Sequence, residues 1–337
     1  MRTAAVLALS LLSATTPVSA QENNDFYDNV PLTALEGPQL EVAGEVSNPG
    51  PVDLVKLPLR SVLAREVSLE GKAEKFIGAY RYDGYSLFDI LKERFVDKVT
   101  KTEFPSVIDL LVAVENRAGE KVVLSWGEIF YPNELHRIII AVQAAPIIPT
   151  LTKEQWPMPA KTRLVIGNDL RTSRNLEEPV RITVFSARGT VPVHKGLKPL
   201  VSAGFKVFTG DGKAVEIAEV DPAWEARTFP SVFYGRGKGY HGIERFRGPL
   251  LRSALGPLFP PEKSRLARGY FVLSGADGYR IAVTYSELFN RNDNAEFLLV
   301  DKGKNDAGGR FSVFPAPDFF SDRAVRALAE ARYLEVR

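Results

Sequence analysis

Apolar residues fall in short blocks, and the same order of blocks runs along the chain twice. Leu110 to Val114 is a continuous apolar run, the pattern of a strand covered on both faces, and Lys121 to Leu124 returns after a turn at Asn116 to Glu120. Further on, Tyr270 to Leu273, the turn Gly275-Ala276-Asp277-Gly278 and the return Arg280 to Val283 repeat that hairpin. Each hairpin runs into a hydroxyl residue followed three positions later by glutamate: Ser125 with Glu128, and Thr284 with Glu287. That spacing predicts a capping box and a short helix, because the hydroxyl takes an orphan N–H of the first turn and the carboxylate reaches back to the cap. Another apolar strand follows in each case, Ile138 to Ile140 and Phe297 to Leu299.

The correspondence is collinear. Glu287 lies 159 residues after Glu128 (287 − 128), and Ala118-Gly119-Glu120-Lys121 meets Asp277-Gly278-Tyr279-Arg280 at the same offset. Upstream, Gly84 meets Gly248 at an offset of 164 (248 − 84), so the first copy holds five more residues before its hairpin (164 − 159). In each copy an amphipathic helix is predicted after that glycine. Leu87, Ile90, Leu91 and Phe95 share a face in one, with Ser86 as N-cap. Leu250, Leu251 and Leu255 do so in the other, with Pro249 suited to the first turn. Arg163 to Ile166, Ser173-Arg174 and Val180 to Val184 close the first copy; Arg310 to Val313, Asp322-Arg323 and Tyr333 to Val336 close the second. Repeats of about 20–50 residues make solenoids; this one is domain-sized and predicts an α+β module written twice. The expected layout is a signal peptide over 1–20, a polar and poorly ordered segment over 21–36, and a first domain over 37–185. A linker over 186–200, carrying Gly189, Pro192, Gly196 and Pro199, leads to a divergent second domain over 201–337.

Arg2, the apolar run Ala4 to Leu12 and Val18-Ser19-Ala20 before Gln21 give the first twenty residues the form of a cleaved signal peptide, predicting a periplasmic or secreted protein. The run is too short to span a membrane, and no membrane anchor is expected after cleavage. The chain contains no cysteine. That removes disulfides, nucleophilic thiols and thiolate metal ligands together. The formal net charge is +2, which provides no global field for nucleic acid.

Candidate chemistry concentrates in two stretches. Tyr234 to Gly242 interleaves glycines with Arg236, Lys238 and His241, and Arg245 and Arg247 follow. Glycine-rich backbone can bring N–H groups to an anion that the basic side chains neutralise. Arg171, Arg174, Arg181 and Arg188 could line a second positive groove. The aromatic run around Tyr82 could line a cleft or belong to the core. Glu128 and Glu287 recur in equivalent places, but capping accounts for each, and they are expected in different domains. The histidines His136, His194 and His241 have no zinc spacing, and no Gly-x-Ser-x-Gly element anchors a hydrolase triad.

Leu40 to Gly50, then Tyr82-x-Gly84 with Leu87 and Leu91, the hairpin, Arg163-Leu164-Val165-Ile166, a basic stretch ending at Arg174 and a final strand occur in an order that resembles the oxidoreductase molybdopterin-binding domain of the sulfite oxidase group. The resemblance covers 37–185 and, through the repeat, 205–337. It implies two tandem copies of a sulfite oxidase-type α+β fold and a pocket. Arg171 and Arg174 are the positions matching that family's phosphate contacts. In that family one protein cysteine joins the pterin dithiolene on molybdenum, and this chain has none to offer. The expectation is therefore an exported, non-catalytic binding protein for a small anion or a protein partner, with no cofactor. Its binding residues are Arg171, Arg174, Arg236, Lys238, His241, Arg245 and Tyr82. The alternatives are a molybdopterin-dependent oxidoreductase with non-cysteine coordination and a scaffold subunit of a periplasmic complex.

Overall fold

A computed structural model of the chain describes residues 30–149, 151–304 and 306–337. The expected signal peptide, and residues 21–29 after it, lie outside the described residues. The fold is mixed and strand-rich, 44% strand against 11% helix, because every helix among the described residues is only one or two turns long.

The first half contains β1 (Thr33–Ala34), β2 (Glu41–Gly44), β3 (Gly50–Pro51), β4 (Arg60–Glu70), β5 (Ala73–Ser86), α1 (Leu87–Leu91), β6 (Leu110–Asn116), β7 (Lys121–Ser125), α2 (Trp126–Phe130), β8 (Ile138–Pro146), β9 (Arg163–Ile166) and β10 (Pro179–Ser186). The second contains β11 (Phe205–Phe208), β12 (Ala214–Ile217), β13 (Ala226–Gly235), β14 (Gly239–Pro249), α3 (Leu251–Leu255), α4 (Lys263–Arg268), β15 (Gly269–Gly275), β16 (Arg280–Thr284), α5 (Tyr285–Phe289), β17 (Phe297–Asp301), β18 (Phe311–Pro315) and β19 (Leu328–Glu335).

Both halves build the same five-stranded sheet. Its order is β3-β2-β10-β6-β7 in the first and β12-β11-β19-β15-β16 in the second. In each, the closing strand slots between the opening strand, which it meets in parallel, and the hairpin, which it meets antiparallel. The predicted hairpins are β6 with β7 and β15 with β16. Both predicted capping boxes form: Ser125 and Thr284 accept from the N–H of Glu128 and Glu287, whose carboxylates take the cap N–H in return.

The second layer distinguishes the halves. In the first, β1, β8, β5 and β4 form one sheet, with β9 following β1 along the edge of β8 opposite β5. In the second, the pairs β13–β14 and β17–β18 are separate two-stranded ribbons that pack together, and among the described residues the one backbone bridge between them joins Leu250 with Leu298. The glycines aligned by sequence mark the same crossing in both. A Cβ on Gly84 would sit 2.1 Å from the Ile140 carbonyl oxygen, and one on Gly248 would sit 2.2 Å from that of Leu299.

One cluster of buried side chains runs through both halves, joining first-half residues such as Val112, Leu124 and Ile182 to Phe271, Val283 and Ala331 of the second. The five-stranded sheets also meet directly through Leu111, Val123, Val272 and Ala282. The halves are therefore not separate bodies on a tether. Segment 187–200 packs onto the second half, with His194 donating its N–H to Asp277 and Leu200 to Ala307.

Several expectations change. Residues 30–36 are not loose: β1 pairs with β8, and Leu35 is buried. The first helix stops at Leu91, so Phe95, with a left-handed φ of 39° and 67% exposed, leaves its apolar face. Pro249 ends β14 ahead of the cap of α3 instead of entering the helix. Among the described residues, no helix is long and apolar enough to cross a membrane.

Candidate functional site

The expected binding residues separate into five places. Arg174 lies at the centre of the molecule, 1% exposed, because the two capping boxes face each other there. Its guanidinium forks onto Asp169 at 2.7 and 2.9 Å and onto Glu128 at 2.9 and 3.0 Å, and it also reaches the Thr284 hydroxyl of the other half at 3.3 Å. Arg323 does the same from the second half, onto Asp318 and Glu287 at 2.7 Å and the Ser125 hydroxyl at 3.3 Å. The Thr284 hydroxyl lies 3.3 Å from Glu128 and 3.4 Å from Glu287. The two glutamates, each from its own half as expected, thus meet in one buried network. Four carboxylates share two guanidiniums. Burial, and secondarily the Glu287 charge, push the Glu128 carboxyl up to about 7, while Arg323 holds Glu287 below its usual range. With its guanidinium enclosed, Arg174 presents nothing to a ligand.

Tyr82 is fully buried in the β4–β5–β8 core; its hydroxyl donates to Glu66 at 2.7 Å and accepts from Arg163 at 3.1 Å. Desolvation pushes this phenol well above its usual range. It is a core residue and not a cleft lining. Arg171 pairs with Glu74 at 2.6 Å, and its backbone is clasped by the Asn290 side chain.

The glycine-rich stretch is the tip of the β13–β14 hairpin, turning at Arg236 to Lys238. Gly239 and Gly242 have φ of 73° and 128°, so they serve the turn and its bulge. The Arg236 N–H donates to Asp322 at 3.0 Å, which puts a carboxylate where an anion cradle would need open backbone. The Arg236 guanidinium lies over the Tyr131 and Phe320 rings. Lys238 is exposed at the tip, and the exposed His241 rests against Phe233.

Ser86, Asp89 and His136 lie together but do not form a nucleophile and its base. Both the Ser86 hydroxyl, at 3.0 Å, and Asp89, at 3.4 Å, approach the same ring nitrogen, and the fully buried Ser86 caps α1.

Arg245 belongs to a different feature, a groove of 470 Å³ between β14, β17, β18 and residues 324–326. Phe246 stacks on Phe314 with ring centroids 3.7 Å apart and supplies an aromatic floor. Arg245, Arg247, Lys302 and Arg326 line it, with Glu244 as the one acid among the described residues. All four cations are exposed, and among the described residues none makes an ion pair or a side-chain hydrogen bond. Ser312, 7% exposed, also lines the groove, and its hydroxyl has no hydrogen-bond partner among the described residues. A buried polar atom left unpaired is uncommon in a native fold, and a water or a ligand in the groove can supply its partner. The other basic cleft, beside α4, differs: Lys121 faces Glu115 and the terminal Arg337 oxygen, and Arg268 faces Glu335.

Sequence reading reached Arg245 through the wrong element, the glycine-rich tip. Lys302, Ser312 and Arg326 carry no local signal, since they come from separate segments that only the fold brings together.

No protein-family model matches this chain, and no curated protein matches it either. The donor set does not fit the molybdenum centre that the resemblance implies. The chain supplies no thiolate, and Arg174, one of the two matched phosphate positions, is enclosed by Asp169 and Glu128.

Proposed function

We propose that this chain is an exported, non-catalytic binding protein, and that the groove along β14 takes an anionic ligand with an apolar body. The observation that carries this reading is the set of four cations, unpartnered among the described residues, around a stacked phenylalanine floor, with the Ser312 hydroxyl unpaired beside it. Guanidiniums recognise carboxylate, sulfonate or phosphate oxygens through paired N–H donors, and the rings take the apolar part. The shared strand order of the halves supports a duplicated molybdopterin-type fold that has lost its cofactor chemistry. The second copy keeps the scaffold and opens a groove where the first is closed.

Calorimetric titration and thermal shift with naphthalene disulfonate, benzoate, inorganic phosphate and sulfate test the reading. A ligand that binds only the folded chain stabilises it by about 2.7 kcal/mol at a hundredfold excess over its Kd. Naphthalene disulfonate is expected to bind best, to weaken with added salt, and to lose affinity in Arg247→Glu and Arg326→Glu. Absence of binding by all four anions, or binding indifferent to both charge reversals, rejects the groove as the site.

A further inference from the structure

The groove exists because a strand is missing. In the first half, residues Tyr80 to Asp83 of β5 pair along the edge away from β4 with Pro146 to Gln143 of β8. Aligning Gly84 with Gly248 places Glu244 to Arg247 of β14 in the equivalent positions, and these four residues form one wall of the groove. The strand that should cover them is too short. β8 runs for nine residues, whereas β17 ends after five, at Asp301, and turns away at Gly303 with a φ of 89°. Among the described residues, β14 between Gly239 and Gly248 pairs only with β13. Its other edge therefore offers unpaired N–H and C=O groups to whatever enters the groove.

We infer that the ligand is an extended acidic segment of a partner protein, which adds to the free edge of β14 as an antiparallel strand in the place that Gln143–Pro146 fill in the first half. This rests on the groove being the ligand site and adds the ligand's class. Strand addition takes affinity from main-chain hydrogen bonds and specificity from alternate side chains. Four residues at about 3.4 Å each span about 14 Å. Neighbours across an antiparallel pair share a face. Incoming residues beside Arg245 and Arg247 are therefore acidic, and the one beside Phe246 is apolar and meets the ring stacked on Phe314. Lys302 and Arg326 stand on the same groove and add to the preference for acid. An alternating acidic and apolar segment satisfies both.

Fluorescence anisotropy with the full chain and a labelled peptide alternating glutamate and valine tests this. Two further peptides carry N-methyl groups on alternate amides, one isomer on the odd and one on the even positions. In strand addition only one set of amides faces β14, so one isomer is expected to lose about tenfold or more in affinity, from the loss of about two hydrogen bonds, and the other to bind nearly as the parent. Combined Arg245→Glu and Arg247→Glu, at exposed positions, is expected to abolish binding of the parent peptide. Equal binding of the two methylated isomers overturns strand addition. A peptide that fails to bind while naphthalene disulfonate binds overturns it and leaves the anion groove standing. Failure of both removes the groove reading as well.

Discussion

The buried arginines make the sharpest quantitative prediction. Among the described residues, Arg323 is the only guanidinium bonded to Asp318 and Glu287, whose side chains are both 0% exposed, and Arg323→Ala removes it. Stranding buried charges in this way costs about 3–5 kcal/mol, more than an exposed ion pair could, because neither water nor another bonded cation replaces the partner. With an unfolding entropy of about 2.1 cal/mol/K per residue, a body of roughly 300 residues loses about 1.6 °C per kcal/mol, so the melting temperature should fall by about 5–8 °C. Combining Arg323→Met with Asp318→Asn and Glu287→Gln removes the stranded charges and keeps the cap acceptor, so much of the loss should return. Because Arg174 touches Thr284 and Arg323 touches Ser125, the two arginines belong to one network. Arg174→Ala and Arg323→Ala should accordingly depart from additivity by about 0.5–3 kcal/mol. Differential scanning calorimetry of the two single variants and the double variant decides this. A loss below about 2 °C in Arg323→Ala, or strict additivity, would refute a shared buried network.

Glu128 titrates up to about 7 when folded, against 4.5 for an unperturbed glutamate. The folded state then holds the proton more tightly than the unfolded state, so this contribution to stability is complete below 4.5 and is lost as pH rises toward 7. Glu128→Gln should flatten that part of the stability profile in denaturant titrations at several pH values; an unchanged slope contradicts it. Gly84→Ala and Gly248→Ala should each cost about 1–3 kcal/mol, since the new methyl meets a backbone oxygen that cannot swing aside, measurable as a lower urea midpoint. Ser312→Ala should leave the free protein as stable or slightly more so, because an unpaired buried hydroxyl is removed. The same variant should weaken binding to the groove, and a matching loss of stability would show that the hydroxyl already has a partner. Gly127→Ala should destabilise through Arg323, whose guanidinium carbon lies 2.4 Å from where the Cβ would be.

What the sequence alone determined is local or periodic. The hairpins and the two capping boxes depend on residues a few positions apart, the repeat shows as a regular offset of 159 or 164 residues, and the missing cysteine needs no fold to be read. Tertiary structure decided everything that depends on which distant segments meet. Ser125 and Thr284 read as separate caps, and only the packing of β7 and β16 from the two halves shows that their glutamates share a buried charge network. Arg174 read as a binding residue, and Tyr82 as a cleft lining or a core residue, because sequence shows residue type and not enclosure. The groove was hidden for a related reason. It arises where β17 stops short beside β14, so its lining is set by the absence of a strand partner, and a missing contact leaves no pattern in the residues that surround it.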